Sequence, residues 1–489
     1  MTETNPTSDV FTNAALFIGG EWIDNSALDR YTHLDPSTGQ PCGSFPKGGI
    51  TEANAAVAAA HKAFATWREV SPEQRRDILL KAADLIAASA EEFAAIAARE
   101  SGHPFNPNPA SVRKLVEYFR YYAGWTDKLE GTTIPVAGAV LNYSQHEPYG
   151  VVLAISSWNG PATSAVMKIA AALAAGNCVV LKPPELGSFG PLRLGEILTE
   201  AGLPPGVLNI VTGGADLGEA LVKHPGIGKI SFTGGIQTAR SICRSAAENM
   251  TPVVMELGGK SANIIFDDAD LTRATTMAAH MGCVQNAGQG CLFPTRLLVQ
   301  ANVYDEVVEK VIAYVSKVKI GLPFTPGVTM GPVINEQACN RILSVIETAQ
   351  REGHGTLLYG GERLGGELAG GYYISPAVFG NVDNKSALAQ HEVFGPVLSI
   401  IRFDTEEEAV ALANDTVYGL AGYVHTQNLS RAHRVAAKLE AGYIGVNGFP
   451  PMPVNAPFGG FKQSGYGREG GKVGIEEFLR TKNVYVALS

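Results

Sequence analysis

The segment Asn286-Ala287-Gly288-Gln289-Gly290-Cys291, closing at Arg296, holds the residue type best suited to covalent chemistry. Cysteine attacks as the thiolate, and it needs a positive or hydrogen-bonding environment to become one. A cysteine that follows two glycines and polar neighbours belongs on a loop, where reactive groups concentrate. A buried small hydrophobe is the plainer use of a cysteine, and these residues alone leave both readings open. Upstream, Met255-Glu256-Leu257-Gly258-Gly259-Lys260 sets a carboxylate at the end of an apolar run. Burying that charge is costly. Either the glycine N–H groups satisfy it, or a dry pocket raises its pKa and makes it a general base.

Other segments could complete a site. Ser156-Ser157-Trp158-Asn159-Gly160-Pro161 follows an apolar strand, and an Asn amide there could stabilise an oxyanion or merely form a turn. Lys182-Pro183-Pro184-Glu185 ends another strand, where an acidic residue can bind ribose hydroxyls or simply be solvated. Phe232-Thr233-Gly234-Gly235-Ile236-Gln237-Thr238-Ala239 joins a strand to a helix whose N–H groups could face a pyrophosphate, although it is not GxGxxG. Glu392 and Phe394, in His391-Glu392-Val393-Phe394-Gly395-Pro396, could touch ribose and nicotinamide, or be a surface charge and a core anchor. The glycine-rich stretch from Pro457 to Glu469 reads as an irregular loop.

Such groups need a scaffold. Apolar strands are expected at 151–155, 178–181, 207–211 and 229–232, alternating with helices at 161–175, 190–201, 215–223 and 235–248. That alternation is the mark of a parallel, doubly wound sheet. A second alternating region runs from Asn263 to about Asn447. Residues 131–153 read as strands, and residues 1–50 as short strands and turns. Three helices before Gly102, with Thr51, Ser71 and Ser89 as expected N-caps, read as a lid or flank and not as an active site. Asn483–Leu488 reads as a terminal strand, an edge that needs a partner.

The bulk numbers limit the choices. A chain of 489 residues suggests about three units at roughly 150 residues each. Net charge is −9 and no Lys/Arg run is present, which argues against nucleic-acid binding. The six Cys form no CxxC pair and no Cys/His ligand spacing, so no metal is expected, and reduced thiols point to a cytoplasmic setting. No signal peptide is read at the N-terminus, and the most apolar stretch, Ala165–Leu181, carries Lys168 and Asn177 and is no membrane span.

Taken together, the segments resemble the non-acylating NAD(P)-dependent branch of the aldehyde dehydrogenase superfamily over nearly the whole chain. The resemblance implies an α/β fold with a Rossmann-like cofactor domain (1–125 and 149–257), an α/β catalytic domain (258–466) and a small β oligomerisation flap with the terminal strand (126–148 and 467–489). It implies Cys291 as nucleophile, Glu256 as general base, Asn159 as oxyanion donor, and Lys168 with Glu469 as a proton relay. NAD would be held by Ile155, Ser156, Trp158, Lys182, Glu185, Phe232, Gly234, Gly235, Leu257, Glu392 and Phe394. Glu185 leans towards NAD and leaves NADP open. A substrate tunnel would be lined by Gly160, Thr163, Ser164, Met167, Gly290, Leu292 and Phe458.

Two departures stand out. Gln237 and Ala239 replace the family's acidic residue and final glycine at the pyrophosphate turn. Gly160, Thr163 and Ser164 imply a wider, more polar tunnel than usual. A homodimer or homotetramer is expected, with the flap and terminal strand pairing across subunits. Glu256 argues against a CoA-acylating reaction, and the filled chemical positions argue against a silent binding protein.

Overall fold

A computed structural model describes residues 14–449 and 452–488, so the reading of the first thirteen residues lies outside the described part. The described chain begins with the hairpin β1 (Leu16–Ile18) and β2 (Glu21–Ile23), then a second hairpin, β3 (Arg30–Leu34) and β4 (Pro41–Pro46). Helices α1 (Ile50–Trp67), α2 (Pro72–Ala88), α3 (Ala90–Ser101) and α4 (Arg113–Ala123) follow.

The caps differ in part from expectation. Thr51 lies inside α1; Gly49 occupies the cap, and its N–H donates to the Glu52 carboxylate at 2.8 Å. Ser71 caps α2 as expected, accepting from the Gln74 N–H at 3.2 Å. Ser89 does not cap α3 with its side chain, because α2 ends immediately before it and its hydroxyl donates back to the Leu85 carbonyl at 3.0 Å.

The predicted strand region 131–153 resolves into β5 (Val140–Pro148) and β6 (Val151–Ile155), with residues 131–139 mostly irregular. From β6 the chain alternates as expected, with helix α5 (Pro161–Ala174), then β7 (Cys178–Lys182), β8 (Leu208–Ile210), β9 (Lys229–Thr233) and β10 (Val253–Glu256). These strands run parallel in the order β10-β9-β6-β7-β8, and β1 and β2 extend the sheet beyond β8. The strands are buried on both faces, which is why they read as continuous apolar runs. The strand order reverses between β6 and β9, and ligands bind beyond the carboxyl ends of strands at such a point.

A second sheet contains β11 (Ala262–Ile265), β12 (Arg296–Gln300), β13 (Thr356–Tyr359), β14 (Ala377–Gly380), β15 (Val397–Phe403), β16 (Ala421–His425) and β17 (Tyr443–Val446), in the order β13-β14-β15-β12-β11-β16-β17. All its pairs are parallel except β13 with β14. Each sheet has its own apolar core. The chain then returns to the first sheet, where β18 (Gly465–Tyr466) pairs with β10.

The last strand, β19 (Leu479–Ala487), pairs antiparallel with β5 of the same chain along its whole length. The terminal strand and the flap strand β5 therefore form one ribbon within the chain. No helix among the described residues is long and apolar enough to cross a membrane.

Candidate active site

Three loops enter adjacent parallel strands of the second sheet. Residues 257–261 lead into β11, 291–295 into β12 and 392–396 into β15. Parallel strands start at one edge, so these loops lie side by side although they are far apart in sequence. Their packing explains the paired glycines. A Cβ on Gly258 would collide with a Glu392 carboxylate oxygen, and one on Gly259 would lie 2.5 Å from the Cys291 carbonyl oxygen. The Gly259 N–H donates to the Glu392 carboxylate at 3.0 Å.

The cysteine loop is shaped by unusual backbone. Asn286, Ala287 and Gly288 all have positive φ (48°, 50° and 73°). Two non-glycine residues in that region mark a conformation imposed by the surroundings. A Cβ on Gly288 would collide with the Gly395 carbonyl oxygen, so only glycine allows this approach. Gln289 clamps the turn: its amide donates to the Asn286 carbonyl at 2.9 Å and its side-chain oxygen accepts from the Ile334 N–H at 2.9 Å. Beyond the cysteine, the Tyr423 hydroxyl donates to the Leu292 carbonyl at 3.0 Å.

Asn159 belongs to the loop after β6, at the carboxyl edge of the first sheet. Its side-chain N–H donates to the Gln289 carbonyl at 3.1 Å. One amide hydrogen thus anchors Asn159 to the cysteine loop and the other is left for a ligand.

Cys291 is half-buried, and burial pushes its thiol up to about 12, with Glu392 and Glu256 adding to the rise. The N–H groups of Cys291 and Leu292 act the other way, favouring the thiolate.

Glu256 ends β10 and is buried, and neither of its carboxyl oxygens has a hydrogen-bond partner in the protein. The glycine N–H groups do not satisfy it, since that of Gly259 serves Glu392. Burial raises the Glu256 pKa well above the ordinary carboxylate range, Glu469 raises it further, and Lys168 and Arg468 oppose. Lys168 and Glu469 form a buried pair at 2.5 Å, and the lysine also donates to the Ser231 hydroxyl at 3.1 Å. The five residues expected to do chemistry therefore fall into two linked groups. Cys291 and Asn159 share one loop system, and Glu256 joins it to Lys168 and Glu469.

The expected cofactor residues of the first sheet lie at or just beyond the carboxyl ends of its strands, and Glu392 and Phe394 come from the loop before β15 of the second sheet. Ser156 follows β6, and its buried hydroxyl has no partner. The Gly234 N–H donates to the Glu256 carbonyl at 3.1 Å, and Phe232 packs against Gly234. Gly235 caps the helix Ile236–Ala246 with no side-chain hydrogen bond, and a Cβ there would meet open space. Lys182 is buried, and burial lowers its pKa against the opposing charges of Glu185 and Asp216. Trp158 and Phe394 meet edge to face, with ring centroids 5.1 Å apart. Ile155 and Leu257 end or follow β6 and β10 on the same edge. An orphaned hydroxyl, a bare helix N-terminus with open space above it and a buried lysine beside carboxylates fit a dinucleotide.

Of the expected tunnel residues, Gly160, Thr163 and Leu292 line a cavity of about 840 Å³ together with Asn159. Ser164 is turned away, accepting the Ser157 N–H at 3.1 Å. Met167 is buried in the first core. Gly290 packs under the Phe293 ring, and Phe458 is buried against Tyr443 and bridged to Glu469. Helix α3, read from sequence as part of a lid or flank, and α4, which had no sequence reading, supply more of the wall through Phe93, Ile96, Lys114 and Leu115.

Sequence reasoning also missed Ser464, which pins the Glu256 loop. Its hydroxyl donates to the Gly258 carbonyl at 2.7 Å and its own carbonyl accepts the Leu257 N–H at 3.0 Å. The run Gln463-Ser464-Gly465 carries no local signal of that task. Arg341, which holds the Val393 carbonyl at 2.6 Å, was missed for the same reason.

Comparison with known proteins shows the family and the fold. The model of the aldehyde dehydrogenase family matches residues 22–484. The mitochondrial aldehyde dehydrogenase family 2 member B4 of Arabidopsis thaliana is 40% identical, over 99% of this chain and 90% of its own. An aldehyde dehydrogenase of Bacillus cereus, solved as a point mutant, superposes with a TM-score of 0.96 at 37% identity, covering 100% of this chain and 99% of that one. Betaine aldehyde dehydrogenase from Staphylococcus aureus, solved in complex with NAD+, gives 0.94 at 37% identity, covering 97% and 95%. The chain belongs to the aldehyde dehydrogenase family.

Proposed function

We propose that this protein oxidises an aldehyde to the carboxylic acid with NAD as electron acceptor, through a thiohemiacetal and then a thioester on Cys291. The observation that carries this reading is the packing of the Glu256 loop onto the Cys291 carbonyl, with Asn159 tied to the same cysteine loop. Lys182 and Glu185 would hold the adenosine ribose, Gly234 and Gly235 the pyrophosphate, and Glu392 with Phe394 and Trp158 the nicotinamide end.

The Cys291 sulfur gives up its proton to Glu256, which hands it on to the Lys168–Glu469 pair, and bonds to the aldehyde carbon as the carbonyl electron pair moves onto oxygen. The free Asn159 amide hydrogen and the Cys291 N–H stabilise that oxyanion, an effect of about 10²–10³ in rate for each donor. Bound NAD supplies the acceptor for the hydride that leaves this carbon. Glu256 then takes a proton from water, the resulting hydroxide attacks the thioester, and the Cys291 thiolate departs as the acid is released. The Lys168–Glu469 pair beside Glu256 would carry the proton onward. A homo-oligomer in a reducing, cytoplasmic setting completes the reading.

The test separates the two half-reactions. Cys291→Ala is expected to abolish NADH formation. Glu256→Gln is expected to give an initial NADH burst in stopped flow and then stall. Normal steady-state turnover by Glu256→Gln would remove Glu256 from the role of base.

A further inference from the structure

The cavity over Asn159 and Leu292 opens between α3 and α4, and most of its wall is apolar, including Phe93, Leu115, Phe293 and Phe449. Among its described lining residues, three have side chains that titrate between acid and base: Glu100, His103 and Lys114. Glu100 is committed elsewhere. Its carboxylate accepts the N–H groups of Phe189 at 2.6 Å and Gly190 at 3.4 Å, and burial pushes its pKa up to about 8. Burial pushes His103 down to about 4, so it is neutral at physiological pH.

Lys114 is left as the charge that faces the cavity. Its amine donates to the Met452 carbonyl and lies 3.7 Å from Glu117. Arg113 also claims Glu117, at 3.1 Å, so this group of three keeps one net positive charge. Burial lowers the Lys114 pKa, and that cost would be relieved by a ligand anion.

We propose that the substrate is an aldehyde carrying one anionic group, a carboxylate, at the far end of an apolar body, and that Lys114 selects it. The inference rests on the oxidation proposed above and names the substrate class for that site. A low-dielectric cavity with one facing cation favours an anion and disfavours a cation. A quaternary ammonium aldehyde, the substrate type named for the betaine aldehyde dehydrogenase relative, should therefore be a poor substrate here.

The test is a series of ω-carboxy aldehydes of increasing chain length, each compared with its methyl ester and a trimethylammonium analogue, at saturating NAD. At the best length, kcat/KM for the acid should exceed that for the ester by about tenfold or more, with the cation lowest. Lys114→Met should collapse the acid-to-ester ratio towards one, mainly through KM, and Lys114→Arg should keep it. Absence of an acid preference at every length, or a ratio that survives in Lys114→Met, overturns the inference while leaving aldehyde oxidation standing. Failure of every aldehyde to reduce NAD overturns the proposed function, and this inference with it.

Discussion

Cys291 rests in the protonated state, since burial and the charges of Glu392 and Glu256 hold its thiol at about 12. Glu256 is also held towards its protonated form, by burial and by Glu469. The same raised pKa makes Glu256 a stronger base than an ordinary carboxylate, and the Cys291 thiol gains thiolate character only when positive charge or hydrogen bonds arrive. Alkylation of Cys291 by iodoacetamide in the cofactor-free protein, followed by peptide mass spectrometry, should be about 10²-fold slower at neutral pH than for an ordinary thiol of pKa ~8.5, the smaller thiolate fraction being partly offset by the higher nucleophilicity of a more basic thiolate. The rate should climb with pH without levelling near 8.5. Burial pushes Glu392 itself up to about 7, so Glu392→Gln removes a charge that disfavours the thiolate only above that pH, and it should speed alkylation at pH 8 and higher. Equal rates in the two proteins would mean that Glu392 does not act on the sulfur.

At the level of elements, the site is made by strand order. Gly258 meets Glu392, and Gly259 meets Cys291, because β11, β12 and β15 are parallel neighbours. Gly259→Ala would set a Cβ against backbone, which cannot rotate away, and should displace the cysteine loop. We expect a loss of at least about 10² in kcat, because a shift of ~1 Å costs that much in a positioned reaction. A kcat within twofold of the parent would show that this contact does not set the cysteine's position.

Part of this arrangement was readable from the sequence. Alternating apolar runs gave the strands and helices from Val151 to Ala246 nearly residue by residue, because a doubly covered strand cannot hide its composition. The motif residues could be named through resemblance. Their partners could not, since Ser464 on Gly258, Arg341 on Val393 and Gln289 on Ile334 join distant segments through groups with no local pattern. Local pattern likewise marks α3 as a helix without showing that it borders a cavity, and α4 went unread.

At the scale of the whole molecule, β5 and β19 form a two-stranded ribbon that joins neither main sheet. An isolated ribbon of two strands is marginal in water. Among the described residues, β19 has no strand on its outer edge, and Leu141, Tyr485, Val486 and Leu488 are exposed beside Ile134 and Val136. A long edge with apolar side chains is a template for pairing. The family resemblance implies that the flap and the terminal strand together pair with another subunit. The pairing of β19 with β5 makes them one ribbon, and that ribbon as a unit is what a second copy of the chain would cover. Light scattering after size exclusion should therefore give a mass of at least two chains. A Tyr485→Asp/Val486→Asp double variant places charge on the exposed edge without touching the catalytic loops. It should shift the protein towards monomer, with thermal stability falling as the ribbon loses its cover. A parent protein that is monomeric at micromolar concentration and fully active would show that the ribbon needs no partner.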